Sequence, residues 1–194
     1  MSRSYNHEVA ASASPRLGNL LASVSLNLAE EGQQALERAS GLTGSAPVAL
    51  LALEEFMGAA HVGRLADVLG LTHSGAVRLV TQLEREGLAE RHEGSDRRRV
   101  EVRLTMKGQR RALQARAARD EVIVSAINSL NVSEGQSLEA LLDKVVSARV
   151  ARRIERRRAG EGGAWWCRTC DFAACGRPQG RCPAQVTAMQ AVTQ

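Results

Sequence analysis

Aromatic side chains are nearly missing from this 194-residue chain; they make up 3% of it, with a single tyrosine. Sandwiches and barrels draw on aromatic and β-branched strand residues, so this scarcity disfavours both. Long apolar runs are missing too, and none reaches the roughly 18 residues that a membrane span needs. The N-terminus shows no secretory h-region, because Asn6, His7, Glu8 and Arg16 interrupt it, and a cytoplasmic location is expected. Histidine occurs four times (His7, His61, His73, His92) and never near the cysteines, and no nucleophile–base pairing stands out. An enzyme is therefore not expected. No internal repeat is visible.

Present in quantity are Ala, Leu, Arg, Glu and Gln, all of which favour helix. With 44% apolar residues the chain has enough to bury a core, and 194 residues suit one domain with appendages. Lys and Arg number 26 against 21 Asp and Glu, giving +5 and a pI near 9.6. That balance fits an anionic partner without separating DNA from a membrane surface.

Residues 1–14 are small and polar without periodicity and read as a tail. From Pro15, apolar Leu17, Leu21, Val24 and Leu28 recur at helical spacing, and the pattern stops near Gly41. A second helix is expected over Ala46 to Gly58, started by Ser45 and Pro47. Two short helices follow between His61 and Gly87, the first ending at Gly70, the second capped by Thr72 or Ser74. In the second, Ala76, Val80 and Leu83 form an apolar stripe, while Ser74, Arg78, Thr81 and Arg85 form a polar one. Two helices joined by a glycine turn, the second presenting polar groups, describe a helix-turn-helix.

Leu88–Arg91 and Val100–Leu104 then alternate apolar with polar, the mark of half-buried strands. The polar loop between them holds Asp96, Arg97, Arg98 and Arg99. A hairpin directly after a helix-turn-helix makes a winged helix, so the expected fold is mainly α with a small β-hairpin wing. A long helix is expected from Thr105 to about Ser129. Another is announced by the capping-box pattern Ser133-Glu134-Gly135-Gln136 and ends in arginines at Arg158. Glycines in 159–164 suggest a linker, and 165–194 holds the cysteines and a polar tail.

Asp96 to Gly108 reads D-x-R-x-V-x-V-x-L-T-x-x-G and resembles the wing signature of MarR-family regulators. Leu65–Thr72 and Leu83–Leu88 are similar to that family's helix-turn-helix. The resemblance covers about residues 15–158. It implies a homodimer whose first and last two helices intertwine, with two lobes gripping a pseudo-palindromic operator, most often as a repressor. It also implies that Arg98 inserts into a groove and that Asp96 positions it through a charge-assisted bond. A small-molecule effector would sit between the dimer helices and the winged lobe. Independently of the family, a recognition helix fits the major groove, with Arg78 reaching guanine or phosphate and His73, Ser74 and Thr81 on the same helix. Arginines at a hairpin tip, Arg97 to Arg99, suit the adjacent minor groove. Double-stranded DNA is thus the expected partner. A winged helix used only for protein interaction would not need that charge.

All four cysteines lie close together as Cys167-x2-Cys170-x4-Cys175-x6-Cys182, followed by Pro183. Four thiolates in one loop suit tetrahedral zinc or an iron–sulfur cluster, and leave no open position for catalytic zinc. Zinc has the higher base rate and the first three positions resemble a zinc knuckle; compactness and the Cys-Pro ending favour a cluster. Arg168, Arg177 and Arg181 would offset either dianionic site. Free thiols or a reversible disulfide are the alternatives. A cluster would make the segment a metal or redox sensor, whereas zinc would make it a structural cap over Trp165 and Trp166.

Overall fold

The computed structural model describes residues 14–58, 60–93 and 100–192. Helix α1 (Pro15–Ser40) starts with proline in its first turn and ends at Gly41, whose left-handed backbone stops it. Helix α2 (Ala46–Ala52) runs into a π turn over Leu53–Met57. A two-residue strand β1 (Ala60–His61) leads into α3 (Val62–Leu69), and α4 (His73–Arg85) follows the Gly70 turn. Strands β2 (Ala89–Glu93) and β3 (Val100–Leu104) pair antiparallel, from Ala89 opposite Leu104 to Glu93 opposite Val100. Then come α5 (Met106–Ile127), α6 (Val132–Arg158), a 3-10 turn at Trp166–Thr169 and α7 (Pro183–Val192).

The mainly helical winged helix expected from the sequence is what forms. The sheet carries one strand more than expected, because β1 pairs with β3 and gives the order β1-β3-β2. Two residues are too few to show an alternation. The capping box of α6 also starts earlier. Asn131 accepts from the Glu134 amide at 3.0 Å, and the Glu134 carboxylate takes the Asn131 amide at 2.8 Å. Past Pro183 the chain is helical rather than a polar tail, with proline opening α7 and Ala, Gln and Met sustaining it.

The core lies between α2, α3, α4 and the sheet. Leu50, Leu65, Val80, Leu83 and Val102 are fully buried there. The start of α5 is locked onto this lobe. Thr105 caps the helix by accepting from the Gly108 amide at 3.0 Å, and its hydroxyl donates to the Gly87 carbonyl at 2.8 Å. A Cβ on Gly108 would lie 1.9 Å from the Leu88 carbonyl oxygen, so only glycine lets α5 start this close to the strand. This explains the L-T-x-x-G half of the wing signature physically. Away from the lobe α1 packs along α5, while α6 packs within its own chain chiefly on α7. Among the described residues no helix is long and apolar enough to cross a membrane.

Candidate nucleic-acid interface and cysteine site

Helix α4 begins at Thr72, whose hydroxyl accepts from the Gly75 amide at 3.1 Å. Ala76, Leu79, Val80 and Leu83 are buried against the lobe. That burial fixes the helix about its axis and turns His73, Ser74, Arg78, Gln82 and Arg85 to solvent. Thr72, not Ser74, is the capping group, and Ser74 lies with its hydroxyl 3.3 Å from that of Thr72. Thr81 is half-buried; its hydroxyl donates to the Val77 carbonyl at 3.0 Å and receives Arg91 at 3.4 Å. Arg91 also pairs with Glu84 at 2.7 Å, tying strand β2 to α4. Asp96, Arg97, Arg98 and Arg99 lie outside the described residues.

Cys167 and Cys170 sit on and just after the 3-10 turn, Cys175 in the turns that follow, and Cys182 immediately before α7. All four line one cavity of about 630 Å³, together with Trp166 and with Glu139, Asp143 and Val146 of α6. The four thiols act on one another across the cavity: Cys170 on Cys167, Cys182 on Cys175, and Cys175 on Cys170. The Cys170 hydrogen bond, helped by the Arg177 and Arg153 charges, lowers the Cys167 thiol to about 6 against the cost of its burial. Cys170, the donor, is pushed well up by that same bond and by burial. Burial also raises Cys175, whose thiol donates to the Phe172 carbonyl at 3.6 Å. Among the described residues no three His, Cys, Asp or Glu side chains converge closely enough to hold one ion.

The segment that carries these thiols is docked onto the winged lobe. The buried Arg116 of α5 donates to the Cys170 carbonyl at 3.0 Å and pairs with Glu54 at 2.8 Å and Glu55 at 2.7 Å. Glu55 also receives the Phe172 amide at 2.7 Å, and Arg119 donates to the Thr169 carbonyl. The Trp165 amide reaches the Val68 carbonyl in the last turn of α3 at 2.8 Å. Its ring is packed by Arg64, with the guanidinium 4.3 Å from the centroid, and by Arg157 at 5.6 Å. Gly70 has a left-handed backbone (φ 68°), and a Cβ there would come 2.7 Å from the Ala164 nitrogen. Arg153 holds the Gly163 and Ala164 carbonyls, and Arg156 pairs with Glu161. The glycines thus shape a closely held turn as much as a spacer.

The MarR family model matches residues 40–99 of this chain, from the end of α1 to the residue before β3. Over these residues the chain resembles the MarR family, and it folds as a winged helix. A MarR-family protein from Bacillus stearothermophilus superposes with a TM-score of 0.61 at 27% identity, over 73% of this chain and 96% of its own. YusO from Bacillus subtilis does so at 0.60 with 18% identity, over 75% of this chain and 99% of its own. Staphylococcus aureus MepR, a transcription regulator of the multidrug efflux pump MepA, gives 0.59 at 23% identity, covering 68% and 96%. A MepR mutant bound to an oligodeoxyribonucleotide gives 0.52 at 24% identity, again covering 68% and 96%. No curated protein sequence matches the chain.

The cysteine segment lies outside the stretch that the MarR model matches. Sequence reasoning placed its thiols together but missed Arg116, Arg119, Glu54 and Glu55, the groups that attach it to the lobe. Their only signal was weak: two arginines among apolar positions of α5 and two adjacent acids near a helix end. Nothing in their spacing distinguishes them from a solvated face.

Proposed function

We propose that the chain is a sequence-specific, non-catalytic transcription repressor of the cytoplasm that binds double-stranded DNA as a homodimer. The observation that carries this reading is α4. One stripe of it is sealed into the core, while His73, Ser74 and Arg78 stand exposed along the opposite edge. A helix held this rigidly can present side chains to base edges in the major groove at low entropic cost. Asp96 and Arg97–Arg99, at the hairpin tip by sequence, would take the flanking minor groove, with Arg98 inserted. The oligonucleotide bound to the MepR mutant supports the choice of DNA as ligand.

Dimerisation is supported by apolar side chains that the single chain leaves uncovered: Leu17, Leu21 and Val24 on α1, Ile123, Val124 and Ile127 on α5, and Leu141, Leu142 and Val145 on α6. A second copy presenting the same faces covers them by two-fold symmetry. Beside them, α1, α2 and α5 enclose a cavity of about 530 Å³ in which Leu28, Leu36, Val48 and Ile123 stand with Arg119 and Arg168. Apolar walls with two cations suit a small apolar anion as effector. The C-terminal thiols add a metal- or redox-responsive input.

The test is retention of genomic DNA fragments by the purified full-length protein, with the winning fragment titrated over a salt series. Specific binding that weakens steeply with salt is expected. Equal affinity for all fragments would remove sequence readout, and no binding at low salt would remove the DNA reading altogether.

A further inference from the structure

Four thiols line one cavity without three of them meeting at an ion-sized point, and this constrains what the cavity holds. Tetrahedral zinc, with Zn–S near 2.3 Å, draws all four sulfurs to within about 3.8 Å of one another. A cluster spreads its four thiolates over two or four irons, so the sulfurs ring an inorganic core and need not converge on one point. The space is of the right kind: about 630 Å³, walled by Trp166 and Val146 as well as the thiols. The lining carries Arg181 together with the carboxylates of Glu139 and Asp143, while Arg177 and Arg153 act on Cys167 and Arg119 on Cys170. The arginines offset part of the charge that four thiolates bring.

We propose that Cys167, Cys170, Cys175 and Cys182 ligate an iron–sulfur cluster seated in this cavity. The cluster also has a mechanical consequence. Cys170 and its neighbours are held by Arg116, Arg119 and Glu55, and Trp165 by the Val68 carbonyl of α3. Loss of the cluster frees the Cys-x2-Cys turn, and with it the contacts on the π turn after α2, on α3 and on α5. The link to DNA affinity rests on the regulator reading above; the cluster itself does not.

The experiment is anaerobic purification of the full-length protein, with iron, acid-labile sulfide and zinc measured per chain beside the visible spectrum. Iron and sulfide in equal amounts are expected, with a visible absorption that air bleaches. Cys170→Ser and Cys175→Ser, one in the Cys-x2-Cys turn and one beyond it, should each lose the colour while dimer size and far-ultraviolet circular dichroism persist. One zinc per chain without visible absorption overturns the proposal. So does a colourless, metal-free protein after incubation with ferrous iron, sulfide and a thiol reductant. Bleaching should change affinity for the operator by about fivefold or more, and an unchanged affinity removes the mechanical link. A coloured protein that ignores DNA keeps the cluster and removes the regulator reading; a colourless one that binds an operator does the reverse.

Discussion

Arginine is costly to bury unless its donors are matched, and Arg116 is only 7% exposed. Two carboxylates and the Cys170 carbonyl meet its terminal nitrogens, so removing it strands Glu54 and Glu55 beside the core. Arg116→Met should destabilise the fold by about 2 kcal/mol, less than a fully buried pair because both acids keep some solvent. Urea melts of the two proteins would read it, and equal midpoints would show the cluster of charges to be inert. Arg78 is the opposite case, an exposed arginine on the free edge of α4. Arg78→Ala should leave the melt within about 0.5 kcal/mol of the parent yet weaken operator binding by about 1–3 kcal/mol. Affinity measured by anisotropy that does not change would take Arg78 out of the interface. The difference between these two arginines was not legible in the sequence. Arg78 falls on a stripe whose partner face is plainly apolar, whereas the role of Arg116 depends on a segment 54 residues away along the chain.

Local pattern was most informative where an element has an obligatory end. The start of α5 is the clearest instance, since Thr105 must face the free amides and Gly108 must pass the Leu88 carbonyl. Gly108→Ala should cost about 3 kcal/mol through that overlap, and Thr105→Val about 1 kcal/mol through the lost cap. Thermal melts that rank the two in the reverse order would contradict the geometry. Helices α1, α4 and α5 were legible because each carries a periodic apolar face with a capping residue or glycine at its boundary. Strand β1 was not, being held by two pairings to β3 and by nothing in its own composition. Nor was α7, where Cys182 stood out as a ligand and Pro183 as a Cys-Pro ending, while the helix-forming run behind them reads as a polar tail. The thiol set itself was plain from spacing. Its attachment to α3 and α5 arises from backbone carbonyls, which leave no trace in a sequence.

At the scale of the whole molecule, the proposed dimer rests on uncovered apolar faces of α1, α5 and α6. Leu141 and Leu142 are 58% and 46% exposed on α6 in the single chain. Leu142→Glu puts a charge into that face and should weaken self-association by about tenfold or more. Light scattering across a dilution series would show the shift towards monomer, and an unaltered dimer would move the interface elsewhere. Because the proposed dimer would present two copies of α4, assembly and DNA reading stand together: its two-fold axis would reappear in its site. The central claim is therefore tested most directly by selecting DNA from a random pool with the purified full-length protein and sequencing what it retains. An inverted repeat with half-site centres about 10 base pairs apart is the predicted result, with Arg78→Ala relaxing one position in each half. Retained sequences that share no motif, or one motif without two-fold symmetry, would contradict it.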